Sequence, residues 1–433
     1  MEKIFYEKSK LGFKFLGVPK KGENSTTLFI LVKAGAINET PENFGTAHFL
    51  EHMFSKGTTS AKSSLDLSRR IDKIGGDYNA GTSFEYTIYH VTVPSEKIKF
   101  GIFDLADKLK NSLFPKEELE KEKGVILEEF RMYLDDPKSR IDDFMNEVVF
   151  GKNTGLGHNI TGTEKTILEM TREKLVKFFE ENYQNENTLV GAIGKFNPEK
   201  TLKFFEEIFG GFEKKNYKKL EKKKGGKSFL EEKLLKPKIS ILSDKKTEQA
   251  HFILSFRTIG KNDPDKFVLK VLANFLGGTM SSRLFVRLRE KLGICYYTYA
   301  HSKKYKDIGV FEISAGTDKS RFLKSLQGVI SEIQKIKNGQ ISKKDLSIAK
   351  SNLIGRLKLL SDNSEYIWNL YAGQYIFEDE KIYSTKEMIS EIKKVSFDDL
   401  VRVANKIFTK ENSYFSVTHD QILEEEIEKV LKF

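Results

Sequence analysis

The sequence predicts an α+β protein built from two homologous, sandwich-like domains, each a mainly antiparallel sheet packed against helices. Three observations carry this reading. The 433 residues exceed what a single hydrophobic core ordinarily organises, so two large domains are expected. One order of elements (strand, helix, helix, strands, helices, strand) is written twice, with a period of about half the chain. The β-prone runs come grouped, with the helices gathered between them, instead of alternating singly as a parallel sheet requires.

The repeat can be followed element by element. Thr27-Leu-Phe-Ile-Leu-Val-Lys-Ala-Gly35 is an apolar, β-prone run followed by a loop and a helix, and His251-Phe-Ile-Leu-Ser-Phe-Arg-Thr-Ile-Gly260 repeats it. Arg69-Arg-Ile-Asp-Lys-Ile-Gly-Gly76 leads into an alternating strand over residues 78–93. Its counterpart, Arg287-Leu-Arg-Glu-Lys-Leu-Gly293, leads into a strand over residues 296–301. Phe114-Pro-Lys-Glu-Glu-Leu119 opens a long helix, with Pro115 suited to a first turn, and Ile341-Ser-Lys-Lys-Asp-Leu346 opens another. Each half closes on a helix and a strand, residues 175–183 then 189–193, and residues 400–408 then 414–417. The expected domains are therefore residues 1–213 and 237–433. Residues 214–236 form a linker that holds the lysine-rich run 214–227 and its Gly225-Gly226 pair.

Composition removes several function classes. Hydrophobic residues make up 39% and charged residues 31%, a globular mixture and not a disordered one. No apolar run approaches the roughly 20 residues of a membrane helix, so no membrane partner is expected. The first residues lack the pattern of a secretory signal, which points to the cytoplasm of a prokaryote. The net charge of +11 could suit nucleic acid. Lysine and glutamate are interleaved along amphipathic stretches, however, and no binding motif accompanies them, so no nucleic-acid partner is expected. The lone cysteine, Cys295, can form neither an internal disulfide nor a thiolate zinc cage and reads as a small core residue.

The chemistry concentrates in His48-Phe-Leu-Glu-His52. Residues 47–54 look helical, with Gly57 as a stop signal. Histidines four apart leave one helix face together, and Glu51 stands one step off their line. That pattern offers two zinc ligands and a carboxylate able to take a proton from water on the metal. A catalytic zinc wants a third protein ligand. The helix opened by Phe114 and Pro115 offers Glu122 and Glu129, seven apart and so on one face. Val125 and Ile126 interrupt its charge run and mark the inward side. Glu128 reads as a solvated residue.

These residues resemble the inverted zinc motif of the pitrilysin/insulinase family of metallopeptidases, in which His-x-x-Glu-His reverses the commoner order. The likeness runs through Gly45-Thr-Ala-His-Phe-Leu-Glu-His-Met-Phe-Ser-Lys-Gly-Thr58, and length and two-part layout are similar to the branch containing mitochondrial processing peptidase and its bacterial relatives. The resemblance implies one zinc per chain, held by His48, His52 and Glu129, with Glu51 as the catalytic base and Glu122 orienting a ligand histidine. It implies that Asn79 and Ala80 lie on a strand edge that pairs with substrate backbone. In the second half, Leu288-Arg-Glu-Lys-Leu-Gly-Ile-Cys-Tyr296 resembles the family's arginine and tyrosine pair, so Arg289 and Tyr296 are expected to stabilise the oxyanion, with Arg287 as a competitor for the arginine.

The second half lacks the metal motif. Residues 261–280 contain neither His nor Glu, and residues 341–360 contain no Glu. His90, His158, His251, His301 and His419 are scattered, and none is assigned to zinc. The implied activity is a zinc endopeptidase acting on peptides or unfolded segments inside a closed chamber formed by a homodimer. The alternative is a catalytically silent scaffold or partner subunit, against which the intact His48, Glu51, His52 and Glu129 argue.

Overall fold

The computed structural model describes residues 4–210, 234–243, 245, 247–361, 363–375 and 382–433. The lysine-rich run and most of the expected linker lie outside the described residues. The chain divides into two compact units.

The first unit holds strands β1 (Phe5–Lys8), β2 (Lys14–Pro19), β3 (Ser25–Val32), β4 (Asp77–Thr82), β5 (Thr87–Pro94) and β6 (Thr188–Gly194) in the order β1-β2-β6-β3-β5-β4. The second holds β7 (Lys238–Leu242), β8 (Gln249–Ile259), β9 (Cys295–Lys304), β10 (Ile308–Asp318) and β11 (Ser413–Thr418) in the order β7-β11-β8-β10-β9. The β2-β6 and β7-β11 pairs are parallel and the other pairs antiparallel. The sequence β2-β6-β3-β5-β4 is thus repeated by β7-β11-β8-β10-β9, with β1 as an added edge. The internal repeat is a repeat of sheet topology.

The helices of the first half are α1 (Thr46–Met53), α2 (Ser64–Asp72), α3 (Ile98–Asn111), α4 (Lys116–Asp135), α5 (Pro137–Phe150), α6 (Glu164–Leu168), α7 (Arg172–Asn182) and α8 (Pro198–Phe209). Those of the second are α9 (Lys266–Gly277), α10 (Phe322–Lys337), α11 (Lys343–Leu360), α12 (Ser364–Tyr375), α13 (Thr385–Lys394), α14 (Phe397–Ile407) and α15 (Glu424–Val430). Among the described residues no helix is long and apolar enough to cross a membrane.

Residues 78–93 form a hairpin and not the single strand expected. Ser83 N donates to Tyr86 O at 2.8 Å and turns the chain between β4 and β5. One strand of that length would be far longer than sheets of this size use.

Strand β3 is buried along both faces, as its unbroken apolar run requires. Leu28 and Ile30 face a core that includes Phe49, Leu50, Met53 and Phe54 from the α1 region. Phe29 and Leu31 face the other way, against Ile367, Trp368, Tyr371 and Ala372 of α12. Helix α12 therefore belongs to the first unit although it lies in the second half of the sequence. Reciprocally, α5 belongs to the second unit. Lys238 Nζ donates to Val148 O (2.9 Å), and Ser416 Oγ lies 3.9 Å from Met145 Sδ. A sheet with apolar groups on both faces needs a second layer, and each half supplies the other's.

Candidate metal centre

The centre is built on α1 and α4 of the first unit. Helix α1 begins at Gly45, whose φ of 88° suits glycine, and a Cβ there would lie 2.4 Å from Thr161 O. Its N-terminal N–H groups, which no helix carbonyl can reach, are taken by Glu39: Oε2 accepts from Gly45 N (2.8 Å) and Oε1 from Ala47 N (2.6 Å). Glu39 is itself buried and 2.9 Å from His158 Nε2, while His158 Nδ1 reaches Thr154 O at 2.8 Å. Burial pushes the Glu39 carboxyl above its ordinary range, against the pull of His158. One of the five unassigned histidines thus anchors the motif helix. Among the described residues, His48, His52 and Glu129 make up the single group of metal-binding residue types close enough to share an ion.

Helix α1 turns both imidazoles to one face, with ring centroids 4.6 Å apart. From α4, Glu129 Oε2 stands 3.6 Å from His48 Nε2 and 3.5 Å from His52 Nε2. Tetrahedral zinc with bonds of about 2.0–2.1 Å places its ligand atoms about 3.3–3.4 Å apart, so Glu129 stands close to zinc-ligand spacing from each histidine. On the outer side of His52, Nδ1 lies 2.8 Å from Glu122 Oε1, which leaves Nε2 for a metal. Glu122 is 3% exposed, and its other oxygen meets Lys56 Nζ at 2.5 Å. Among the described residues buried His48 has no such support, since its Nδ1 has no hydrogen-bond partner there. Ile126 packs inward between Glu122 and Glu129 as expected. Val125 does not; it is 53% exposed, because it lies one step off that stripe. Glu128 is exposed and paired with Arg131 at 2.6 Å.

Burial and the neighbouring His52 pull His48 down to about 4. Burial also opposes charge on His52, but its hydrogen bonds to Glu122 and Glu129 outweigh this and raise it to about 9. Below pH 9 His52 therefore carries a proton that a metal must displace, whereas His48 is already neutral near pH 7. Zinc binding at pH 7.5 is expected to release about one proton, and apparent affinity to climb about tenfold per pH unit from 6 to 8. Calorimetry in buffers of different ionisation enthalpy measures this; zero released protons would contradict it.

Glu51 leaves α1 beside the ligand face. Its Oε2 accepts from Thr82 Oγ1 at 2.5 Å, and burial raises its pKa. Thr82 ends β4, the edge strand of the first sheet. The same strand carries Asn79, exposed, and Ala80, half-buried. The Ala80 N–H is held by Asn79 Oδ1 at 2.9 Å.

Arg289 and Tyr296 stand together in the second unit, where the Arg289 guanidinium donates to Tyr296 O and lies 5.8 Å from its ring. Tyr296 is 70% exposed. Arg287, on the same turn, lines a different cavity. Cys295 is buried, its thiol raised to about 11 by burial, as a core residue.

With this geometry in place, comparison with known proteins shows what the chain is similar to. The family model described as Insulinase (Peptidase family M16) matches residues 17–164, and the one described as Peptidase M16 inactive domain matches residues 169–353. The chain belongs to peptidase family M16. A relative in Bacillus subtilis, described as the uncharacterized zinc protease YmxG, is 33% identical over 390 residues, covering 89% of this chain and 91% of its own. A crystal structure of a protease from Helicobacter pylori shares the fold with a TM-score of 0.89 at 22% identity, covering 96% of this chain and 99% of that one. A structure described as the peptidase M16 inactive domain from Pseudomonas fluorescens gives 0.84 at 19% identity, covering 97% and 98%. In this M16 chain the His48, His52 and Glu129 group falls in the segment matched by the Insulinase model, and residues 261–280, which contain neither His nor Glu, fall in the segment matched as inactive domain.

Sequence reasoning overlooked Lys56, Thr82, Glu39 and His158. Lys56 lies three residues past the end of α1, where no helical spacing marks it, and Thr82 alternates with Ala80 along β4, which was the one available signal. Lys56→Met removes the cation that holds Glu122 and is expected to weaken zinc binding by about tenfold, measured by competition with a chromophoric chelator. Unchanged affinity would show that Glu122 orients His52 unaided.

Proposed function

We propose that this chain is a zinc-dependent endopeptidase that hydrolyses internal bonds of peptides or unfolded polypeptide segments. The observation that carries this reading is Glu51: a half-buried carboxylate fixed by Thr82 beside two histidines and a glutamate spaced for zinc. Zinc, when bound, supplies a Lewis acid that polarises the carbonyl and acidifies water. His48, His52 and Glu129 hold it. Glu122 and Lys56 fix the ring of His52. Glu51 accepts the proton of the attacking water and returns it to the leaving amine.

The substrate strand pairs with the open edge of β4 and takes over the Ala80 N–H now held by Asn79. Backbone pairing of this kind favours extended, unfolded substrates with little sequence preference. Arg289 and Tyr296 donate hydrogen bonds to the scissile carbonyl or the substrate backbone. One zinc per chain, a closed homodimeric chamber and a prokaryotic cytoplasmic location complete the proposal. Sedimentation analysis tests the dimer.

The test of activity is cleavage of quenched fluorescent peptides. Chelation with 1,10-phenanthroline is expected to abolish cleavage, and one equivalent of zinc to restore it. A zinc-loaded protein that cleaves no unfolded substrate would instead support the silent scaffold reading.

A further inference from the structure

We propose that the second unit carries a binding site for a small dianion, a phosphate monoester or a dicarboxylate. The site is a cavity of about 290 Å³ bordered by the π-helical turn Phe285–Lys291, α10 and α11. That volume suits a ligand of the size of a triose phosphate or a four-carbon diacid, at the small end of ligand pockets.

Arg287 is the residue that asks for a ligand. It lines the cavity, its Nε is buried, and among the described residues that nitrogen has no acceptor. Arg287 is half-buried, and a charged side chain held against the protein with a buried nitrogen left unpaired is costly unless an acceptor reaches it. The other cations divide into committed and free. Glu332 holds Arg283 at 2.7 Å and Lys335 at 2.7 Å, and Asp345 lies 3.9 Å from Arg283. Four cations (Arg283, Arg287, Lys291 and Lys335) therefore face two carboxylates across the lining, a surplus of two positive charges that a dianion balances. Arginine's planar fork suits both phosphate and carboxylate oxygens.

The turn itself is the second observation. Leu292 N donates to Arg287 O at 3.2 Å, an i to i+5 bond that widens the helix, and π-turns are frequent at functional sites. Arg287 and Arg289 share this turn, so a ligand gripped by Arg287 steadies the segment that presents Arg289 to Tyr296.

The test is titration calorimetry and thermal melting of the full-length protein with glycerol 3-phosphate and, separately, succinate, ionic strength being held constant with chloride. Saturable binding of one equivalent per chain is expected, weakened about tenfold or more in Arg287→Met and unchanged in Lys200→Met, a substitution in the first unit. Ligand-free Arg287→Met is expected to melt no lower than wild type, because it removes an uncompensated group, so loss of binding is separable from misfolding. Binding of the phosphate ester alone, or of the diacid alone, identifies the class and upholds the site. Saturation by neither, or full binding by Arg287→Met, overturns it. Peptide cleavage plays no part in this readout, so its outcome is independent of the peptidase proposal.

Discussion

Replacing Glu51 by Gln is expected to leave one zinc bound per chain while kcat for peptide cleavage falls about 10³-fold, the scale of losing a general base and equivalent to about 4 kcal/mol of activation energy. A glutamine side chain at this position is isosteric with glutamate, and its oxygen can still accept from Thr82 Oγ1, so the helix and the ligand face stay in place. What disappears is the basic oxygen. The side chain stands beside the ligand group and not within it, which is why metal content and activity separate in this variant. Cleavage at the wild-type rate by Glu51→Gln would place the base elsewhere.

Glu129→Gln is expected to act on the metal itself. It removes the one anionic ligand from the His48, His52, Glu129 group, so zinc affinity falls by more than the roughly 10- to 100-fold typical of losing an outer partner, and cleavage falls with it. Glu128→Gln is the matched control. That neighbour is exposed and bound to Arg131, and its replacement leaves zinc and cleavage unchanged. Zinc content and peptide cleavage measured on both variants decide the matter. Retention of tight zinc by Glu129→Gln would shift the third-ligand role to another residue, Glu122 being next in reach of His52.

Much of this site is legible in the sequence because helices make spacing into geometry. His48 and His52 meet on one face since they are four apart, and Glu122 and Glu129 do so over two turns. The same arithmetic is coarse at the edge of a stripe: Ile126 is buried between those glutamates, while Val125, one residue away, is exposed. Lys56 and Glu39 escaped notice for a different reason. Each acts through a tertiary contact, Lys56 with Glu122 and Glu39 with His158, and no local pattern encodes which distant residue will complete a pair.

The fold divides in the same way. Twofold repetition is visible in the order of elements, and it reappears as the shared strand order of the two sheets. The crossing of α5 and α12 is not visible, because amphipathic helices announce that they need a partner surface without saying which. Residues 78–93 alternate in a way that suits one strand, yet Ser83 and Tyr86 close a turn in the middle that makes β4 an edge. That turn matters to the site: it ends β4 just beyond Thr82, the residue that holds Glu51.

Anomalous diffraction at the zinc absorption edge, from crystals of the zinc-loaded protein, tests the central claim most directly. The account predicts one strong peak per chain, about 2.0–2.2 Å from His48 Nε2, His52 Nε2 and a Glu129 carboxylate oxygen, with Glu51 outside bonding distance. A peak lacking any of these three ligands, or no peak at this group at full zinc occupancy in solution, would contradict it.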